Sequence, residues 1–424
     1  MPRLKPAREL TALEAARAFE DGSLTSEALI RSCLERIEER NAQVRAFTTW
    51  DPASALAQAQ RAGNRGVLAG IPFAVKDVID TAALATEYGS PVYKGHRPVA
   101  DAGCVATACE QGAIVLGKVS TSEFATQTPG PARNPLDLSR TPGGSSSGSA
   151  AAVADFMVPV AFGTQTTGSI VRPAAYCGIV GYKPTHGFFS SSGLKQLSPV
   201  QDTVGLLTRD VADAAYFAFG VHGVHTVLQS PSRLRICVCE SDQWSHASAE
   251  MIDSIEAAVA KLERKGASVA RLRLDRTLQE LAELQPRIVA YEARQALAFE
   301  RLHAWEQLSE RLRARLDSGA NVSVAEYLSL RQKVWSAQQR VTSLFLDFDA
   351  LLYPAAEGEA ERGLASSGSP RFGALWTLLQ LPCVSMPVAR AASGMPLGAQ
   401  LIGAYGEDRS LLAVAHSVGR LLAA

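Results

Sequence analysis

Two neighbouring runs concentrate the residues that could attack a carbonyl. TPGGSSSGSAAAVADF, from Thr141, packs serines and glycines into a stretch that turns at once into a helix former, and VAFGTQTTGSIVRPAAYCG, from Val160, carries Ser169 behind a run of turn residues. A flexible Gly/Ser spacer has no reason to run straight into a helix former and then a strand. A serine hydroxyl is a weak nucleophile and needs a base to take its proton as it attacks. Three arrangements of this sequence would supply one. Gly144 to Gly148 matches the G-x-S-x-G elbow, which needs a strand directly before it and an Asp and a His downstream. Here the loop-like RNPLDLSRTP precedes it, and none of the later histidines follows a late strand. Ser192-x-x-Lys195 matches S-x-x-K, but no K-T-G follows. The third arrangement joins a serine, a relay and a lysine projecting from a buried strand, which Lys76 in GIPFAVKDVID would provide. A lysine base works only when neutral. From a reference pKa of about 10.4, holding the amine neutral at pH 7 costs about 4.6 kcal/mol, which burial must supply. The competing reading of Lys76 is a surface ion pair with Asp77.

The elements that must position these residues follow from periodicity. Residues 11–48 read as two amphipathic helices broken at Asp21-Gly22. GIPFAVKDVID, DAGCVATACEQG and AIVLGKV read as strand, helix and strand, a spacing that implies parallel pairing. LRICVCE, a helix from Ser248 to Gly266, and SVARLRL repeat that unit. A helical region over 277–345 follows, with Ser323 and Glu326 spaced as a capping box. The tail returns to strands FDALLYP, CVSMPVA and PLGAQLIGA and ends on a helix over 408–423. The expected fold is α/β: one domain over 1–424 with a central mixed sheet covered by helices on both faces and a helical insertion. Within it, 11–66 supplies N-terminal helices, 67–230 the catalytic core, 231–348 the βαβ unit and insertion, and 349–424 strands and a helix returning to the core. Ser146, Ser147 and Ser149 read as turn and capping hydroxyls.

Composition narrows the function classes. The 424 residues carry 42 Lys+Arg and 42 Asp+Glu, so no global field favours nucleic acid or an anionic membrane. Seven cysteines without metal-ligand spacing read as reduced core residues of a cytoplasmic protein, and no apolar run is long enough to span a membrane. No metal or cofactor is expected. The expected partner is a small-molecule amide, and a homodimer is compatible with this reading.

GGSSSGSAAAVA, VAFGTQTTGSIVRPAAYCGIVGYKPT, GIPFAVKDVID and GMPLGAQLIG stand in the order of the signature blocks of the amidase signature hydrolases, which the chain resembles from about residue 11 to its end. GTQT, RPAAYCG and LASSGSPRFGALWTLLQLPCVSMPV make it similar to the malonamidase-type members. The resemblance implies Ser169 as nucleophile, Ser145 as relay joined to Gly144 by a cis peptide, and Lys76 as base. It implies an oxyanion hole from the backbone N–H groups of Thr166, Thr167, Gly168 and Ser169. It also implies Arg172 as a bidentate clamp on a substrate carboxylate; the competing reading of Arg172 is an ion pair with a structural carboxylate. Thr167 departs from the family's usual glycine and would be strained at a positive φ. The implied reaction is hydrolysis of small amides, malonamate-like, without metal or cofactor. Carbamates, ureas and aryl amides or esters are the alternative substrates, and one component of a tRNA-dependent amidotransferase is the alternative class. The pocket is expected from loop 186–205, the insertion and LWTLLQLP.

Overall fold

Short apolar runs bounded by glycine and proline become the strands of a single sheet. The computed structural model describes residues 5–61 and 65–423. Its first six strands are β1 (Phe47–Trp50), β2 (Pro72–Lys76), β3 (Ile114–Val119), β4 (Val160–Gln165), β5 (Val180–Lys183) and β6 (Thr203–Thr208). The others are β7 (Arg235–Glu240), β8 (Ser268–Arg273), β9 (Ala350–Pro354), β10 (Cys383–Arg390) and β11 (Pro396–Ile402). They pair in the order β1-β3-β2-β4-β6-β5-β10-β11-β9-β7-β8. β2 runs parallel to β3 and β4, and β7 runs parallel to β8 and β9, as the two strand–helix–strand spacings require. The remaining pairs are antiparallel, so the sheet is mixed.

Period-two alternation shows that both faces of the sheet are covered. Ile236 and Val238 of β7 and Ala350 and Leu352 of β9 enter one apolar core. Their neighbours Cys237, Cys239, Leu351 and Tyr353 enter a second core. The first core receives helices Ser26–Val44, Val211–Gly220 and Asp408–Ala423. The second receives Arg276–Ala296 and Val324–Thr342, which belong to the insertion between β8 and β9. Ser323 caps the last of these as expected, accepting from Glu326 N. The capping box does not close, because the Glu326 carboxylate is taken by Arg287 at 2.7 Å.

The serine-rich run becomes a loop leading into helix Ser147–Ala154, whose residues 147 to 153 are all buried. Its serines do not cap. Ser146 Oγ accepts from Thr164 N at 3.2 Å and Ser149 Oγ donates to Phe162 O at 2.9 Å, so both lash the helix to β4. Gly148 is required by close approach: a Cβ there would stand 2.4 Å from Ser120 N and 2.6 Å from Ala46 O. Gly148→Ala must therefore move backbone, and we expect it to lower stability by about 1–3 kcal/mol. Gly419→Ala, where a Cβ meets nothing within 4 Å, is expected to leave stability unchanged or raise it by up to about 1 kcal/mol. Urea denaturation midpoints of the two variants check the contrast.

Candidate active site

Lys76 ends β2, a strand buried along its whole length, and its side chain is fully buried. Its Nζ lies 2.7 Å from Ser145 Oγ and 2.7 Å from Thr164 Oγ1. Among the described residues no carboxylate lies within ion-pair distance of it. The surface pair with Asp77 is absent: Asp77 turns to Lys118, 3.7 Å away, on the neighbouring strand. Burial drives the Lys76 amine well below 10.5, against the pull of Asp202 and with a further push from Arg172. The amine is therefore held towards its neutral, proton-accepting form.

Ser145 follows Gly144 through a cis peptide bond. The carbonyl of Gly144 accepts from Arg172 Nη2 at 2.5 Å, and Arg172 Nε donates to Ser367 O at 2.8 Å. Arg172 lies in the first turn of helix Val171–Cys177 and is 4% exposed, yet Nη1 has no hydrogen-bond partner. The bidentate clamp expected of this arginine is thus half used by backbone carbonyls, leaving Nη1 as its free end. No carboxylate among the described residues pairs with it. The elbow reading fails here as well, because a loop precedes Ser145–Ser147, and Ser146 is fully buried against β4. Lys195 of the S-x-x-K match is tied to Glu300 and Tyr93.

Between β4 and helix Val171–Cys177 the chain makes the turn 166–170. Among the described residues nothing accepts from the N–H groups of Thr166, Thr167, Gly168 or Ser169. The turn is held from behind. Gln165 Oε1 accepts from Ile170 N at 2.7 Å and Val171 N at 3.0 Å. Thr166 Oγ1 donates to Asp202, whose carboxyl burial pushes up to about 6. Gln285 Nε2, from the helical insertion, reaches Thr167 Oγ1 at 3.0 Å, Thr166 O at 3.3 Å and Gln201 Oε1 at 2.8 Å. Thr377 Oγ1 lies 2.9 Å from Thr167 O. Thr167 is not among the residues with positive φ, so the strain anticipated for a threonine here does not arise.

A cavity of about 250 Å³ opens onto this turn, lined by Thr166, Thr167, Ser169 and Arg172 together with Arg311 and Arg315. Ser169 lines it; Lys76 and Ser145 do not. Loop residue Leu197 and the insertion contribute as expected, but the LWTLLQLP segment does not. Trp376 is buried in the core, and the preceding Ser366 to Pro370 line the cavity instead. A larger groove of about 730 Å³, beside the helix Ala12–Glu20, contains none of the three residues. Among the described residues no group of three or more His, Cys, Asp and Glu converges as a metal site would.

Thr164, Gln285, Thr377 and Asp202 escaped the sequence reading. One signal was available for Gln285. It stands on the stripe Leu278, Leu281, Ile288 as a buried amide among aliphatics, where an amide must have polar partners.

The family model described as Amidase matches residues 28–412. The chain belongs to the amidase signature family. It is 30% identical to a glutamyl-tRNA(Gln) amidotransferase subunit of Geobacter sp. (strain M21), over 97% of each chain. A crystal structure of an amidase superposes with a TM-score of 0.88 at 29% identity, covering 97% of this chain and 99% of the other. The peptide amidase of Stenotrophomonas maltophilia superposes with a TM-score of 0.82 at 28% identity, covering 99% and 98%. This amidase is thus a hydrolase of amide C–N bonds built on the fold of its relatives. Gln285→Leu removes every bond from the insertion helix to the turn. We expect amide hydrolysis to fall about 5- to 10-fold, and a double-mutant cycle with Thr167→Val to be less than additive by about 1 kcal/mol. Additive losses in kcat/KM would show the two side chains to be uncoupled.

Proposed function

We propose that this amidase hydrolyses small carboxylated amides of the malonamate kind through an acyl-enzyme on Ser169, with Ser145 as relay and Lys76 as base. One observation carries the reading. The lysine, buried without a counter-ion, hydrogen-bonds Ser145, while Ser169 alone of the three lines the cavity. Ser146 N donates to Ser169 O at 3.3 Å, which lays the two serine segments side by side. Ser145 and Ser169 share no hydrogen bond among the described residues, and in this reading that contact closes when substrate binds.

As Ser169 Oγ bonds to the substrate carbonyl carbon, its proton passes to Ser145 and the Ser145 proton passes to neutral Lys76. The carbonyl electrons move onto oxygen, which meets the N–H groups of residues 166–169. Each such donor contributes about 3–4 kcal/mol in the transition state. Collapse breaks the C–N bond, and the proton returns from Lys76 through Ser145 to the departing nitrogen, which leaves as ammonia or an amine. Water then attacks the ester by the same route, releasing the acid and restoring Ser169. Arg172 Nη1 would hold the carboxylate. Carbamates, ureas and aryl amides or esters would share the chemistry without using that contact.

The full-length likeness to one component of an amidotransferase favours a second reading, in which the chain works as part of an assembly. Activity of the purified chain decides: hydrolysis without partners supports the first reading, and silence until partner chains are added supports the second.

Ser169→Ala and Lys76→Ala should each lower kcat by roughly 10³-fold or more. Wild-type kcat/KM should rise with pH, because the proton must leave Lys76. The midpoint should lie below 10.5, the direction in which burial moves the amine. Lys76→Ala retaining more than about a tenth of the wild-type rate refutes the base assignment. Arg172→Ala disturbs the Gly144 carbonyl and so slows all substrates. Its signature is a further loss of about 10- to 150-fold in the kcat/KM ratio of malonamate to a neutral amide, the worth of a charged hydrogen bond.

A further inference from the structure

The insertion brings two more arginines to the cavity. Helix Glu310–Ser318 buries Leu312 and Leu316, and the adjoining face carries Arg311 and Arg315, four residues apart. Arg313, on another face, pairs with Glu306 at 3.3 Å. The helix is fixed at both ends. Ser309 Oγ lies 2.7 Å from Thr128 Oγ1, and Arg294 Nη1 donates to Leu316 O at 3.0 Å. Arg311 Nη1 bridges two loops at the rim, reaching Gln127 O at 3.4 Å and Ala365 O at 3.2 Å. Arg315 makes no side-chain hydrogen bond or ion pair among the described residues, and burial pulls its pKa down with no carboxylate opposing the shift.

Arg172 and Arg315 therefore line one small cavity, Arg172 with its Nη1 unbonded and Arg315 without a side-chain partner among the described residues, while the more exposed Arg311 is held by two carbonyls. A Cβ on Gly168 would lie 3.2 Å from that Nη1, which places it against the residue preceding Ser169. The chain has equal numbers of acidic and basic residues, yet no Asp or Glu lines this cavity. Arg172 is buried and Arg315 half-buried, neither with a carboxylate at ion-pair distance among the described residues, and a ligand that supplies negative charge offsets the cost of drawing such cations out of water.

We propose that Arg315 is a second anion anchor and that the substrate is a small amide carrying two carboxylates, one held at Arg172 beside the reacting carbonyl and one at Arg315. This rests on the reading of Ser169 and its cavity as the reacting centre. A lining volume of about 250 Å³ suits a substrate of this size.

Calorimetric titration of the full-length Ser169→Ala protein tests it, comparing N-carboxymethyl malonamate with N-propyl malonamate, whose tail is uncharged. The dicarboxylate is expected to bind about 10- to 150-fold more tightly. Arg315→Gln should bring the two ligands within about threefold of each other, Arg315→Lys should keep part of the difference, and Arg313→Gln should keep it in full. Equal affinities in the parent protein, or a preference that survives Arg315→Gln, overturn the proposal. Wild-type turnover of a panel of neutral and carboxylated amides, the two malonamates included, separates the two readings. Hydrolysis of neutral amides without charge-selective binding removes the second anchor and leaves the hydrolase. Charge-selective binding with no amide hydrolysed leaves the anchor and removes the hydrolase reading.

Discussion

A lysine amine buried without a carboxylate beside it is the constraint around which this molecule is arranged. Such a group is tolerated only where neighbours take its hydrogen bonds and water is kept away. Ser145 and Thr164 take the bonds. Exclusion of water falls to the small residues of helix Ser147–Ala154, which let that helix press against β3 and β4. The neighbouring buried lysine, Lys118, makes the contrast plain. It has Asp77 within 3.7 Å, and burial lowers it only to about 8. Of these two lysines on adjacent parallel strands, Lys118 has a carboxylate at ion-pair distance and Lys76 has none among the described residues.

The turn after β4 depends on the same economy of partners. Among the described residues the N–H groups of Thr166 to Ser169 meet no acceptor, so the shape of the turn is imposed by the groups behind it. Gln165, Asp202 and Thr377 come from the core. Gln285 comes from a helix inserted more than a hundred residues later in the chain. The insertion therefore does two things at the site: one helix braces the turn and another carries Arg315 to the cavity. The two helices pack on each other, so one insertion holds both the turn and this wall of the cavity.

Arg172 shows how one side chain serves two demands. Its Nε and Nη2 hold the carbonyls of Ser367 and Gly144, and its Nη1 remains for something else. A fork-shaped, always-charged group can be divided in this way, whereas the point charge of a lysine cannot.

Much of this was legible in the amino-acid sequence. The α/β core sheet, both strand–helix–strand units, the insertion and the return of the tail strands followed from apolar periodicity, because strand and helix faces repeat every two and every 3.6 residues wherever they are buried. Resemblance to the family's signature runs brought Lys76, Gly144, Ser145, Ser169 and Arg172 into view, and such a resemblance is legible because each run is a local string. Tertiary structure alone decided the partners. Asp77 went to Lys118 rather than Lys76, Ser146 and Ser149 went to β4 rather than to a helix cap, and Glu326 went to Arg287 rather than closing a box. Thr167 was relieved of the strain that a positive φ would have imposed, and its hydroxyl found Gln285. Hydrogen-bond partners lie across strands and insertions at separations that no local pattern encodes. Periodicity reports which face of an element is buried; only packing says which polar group meets it there.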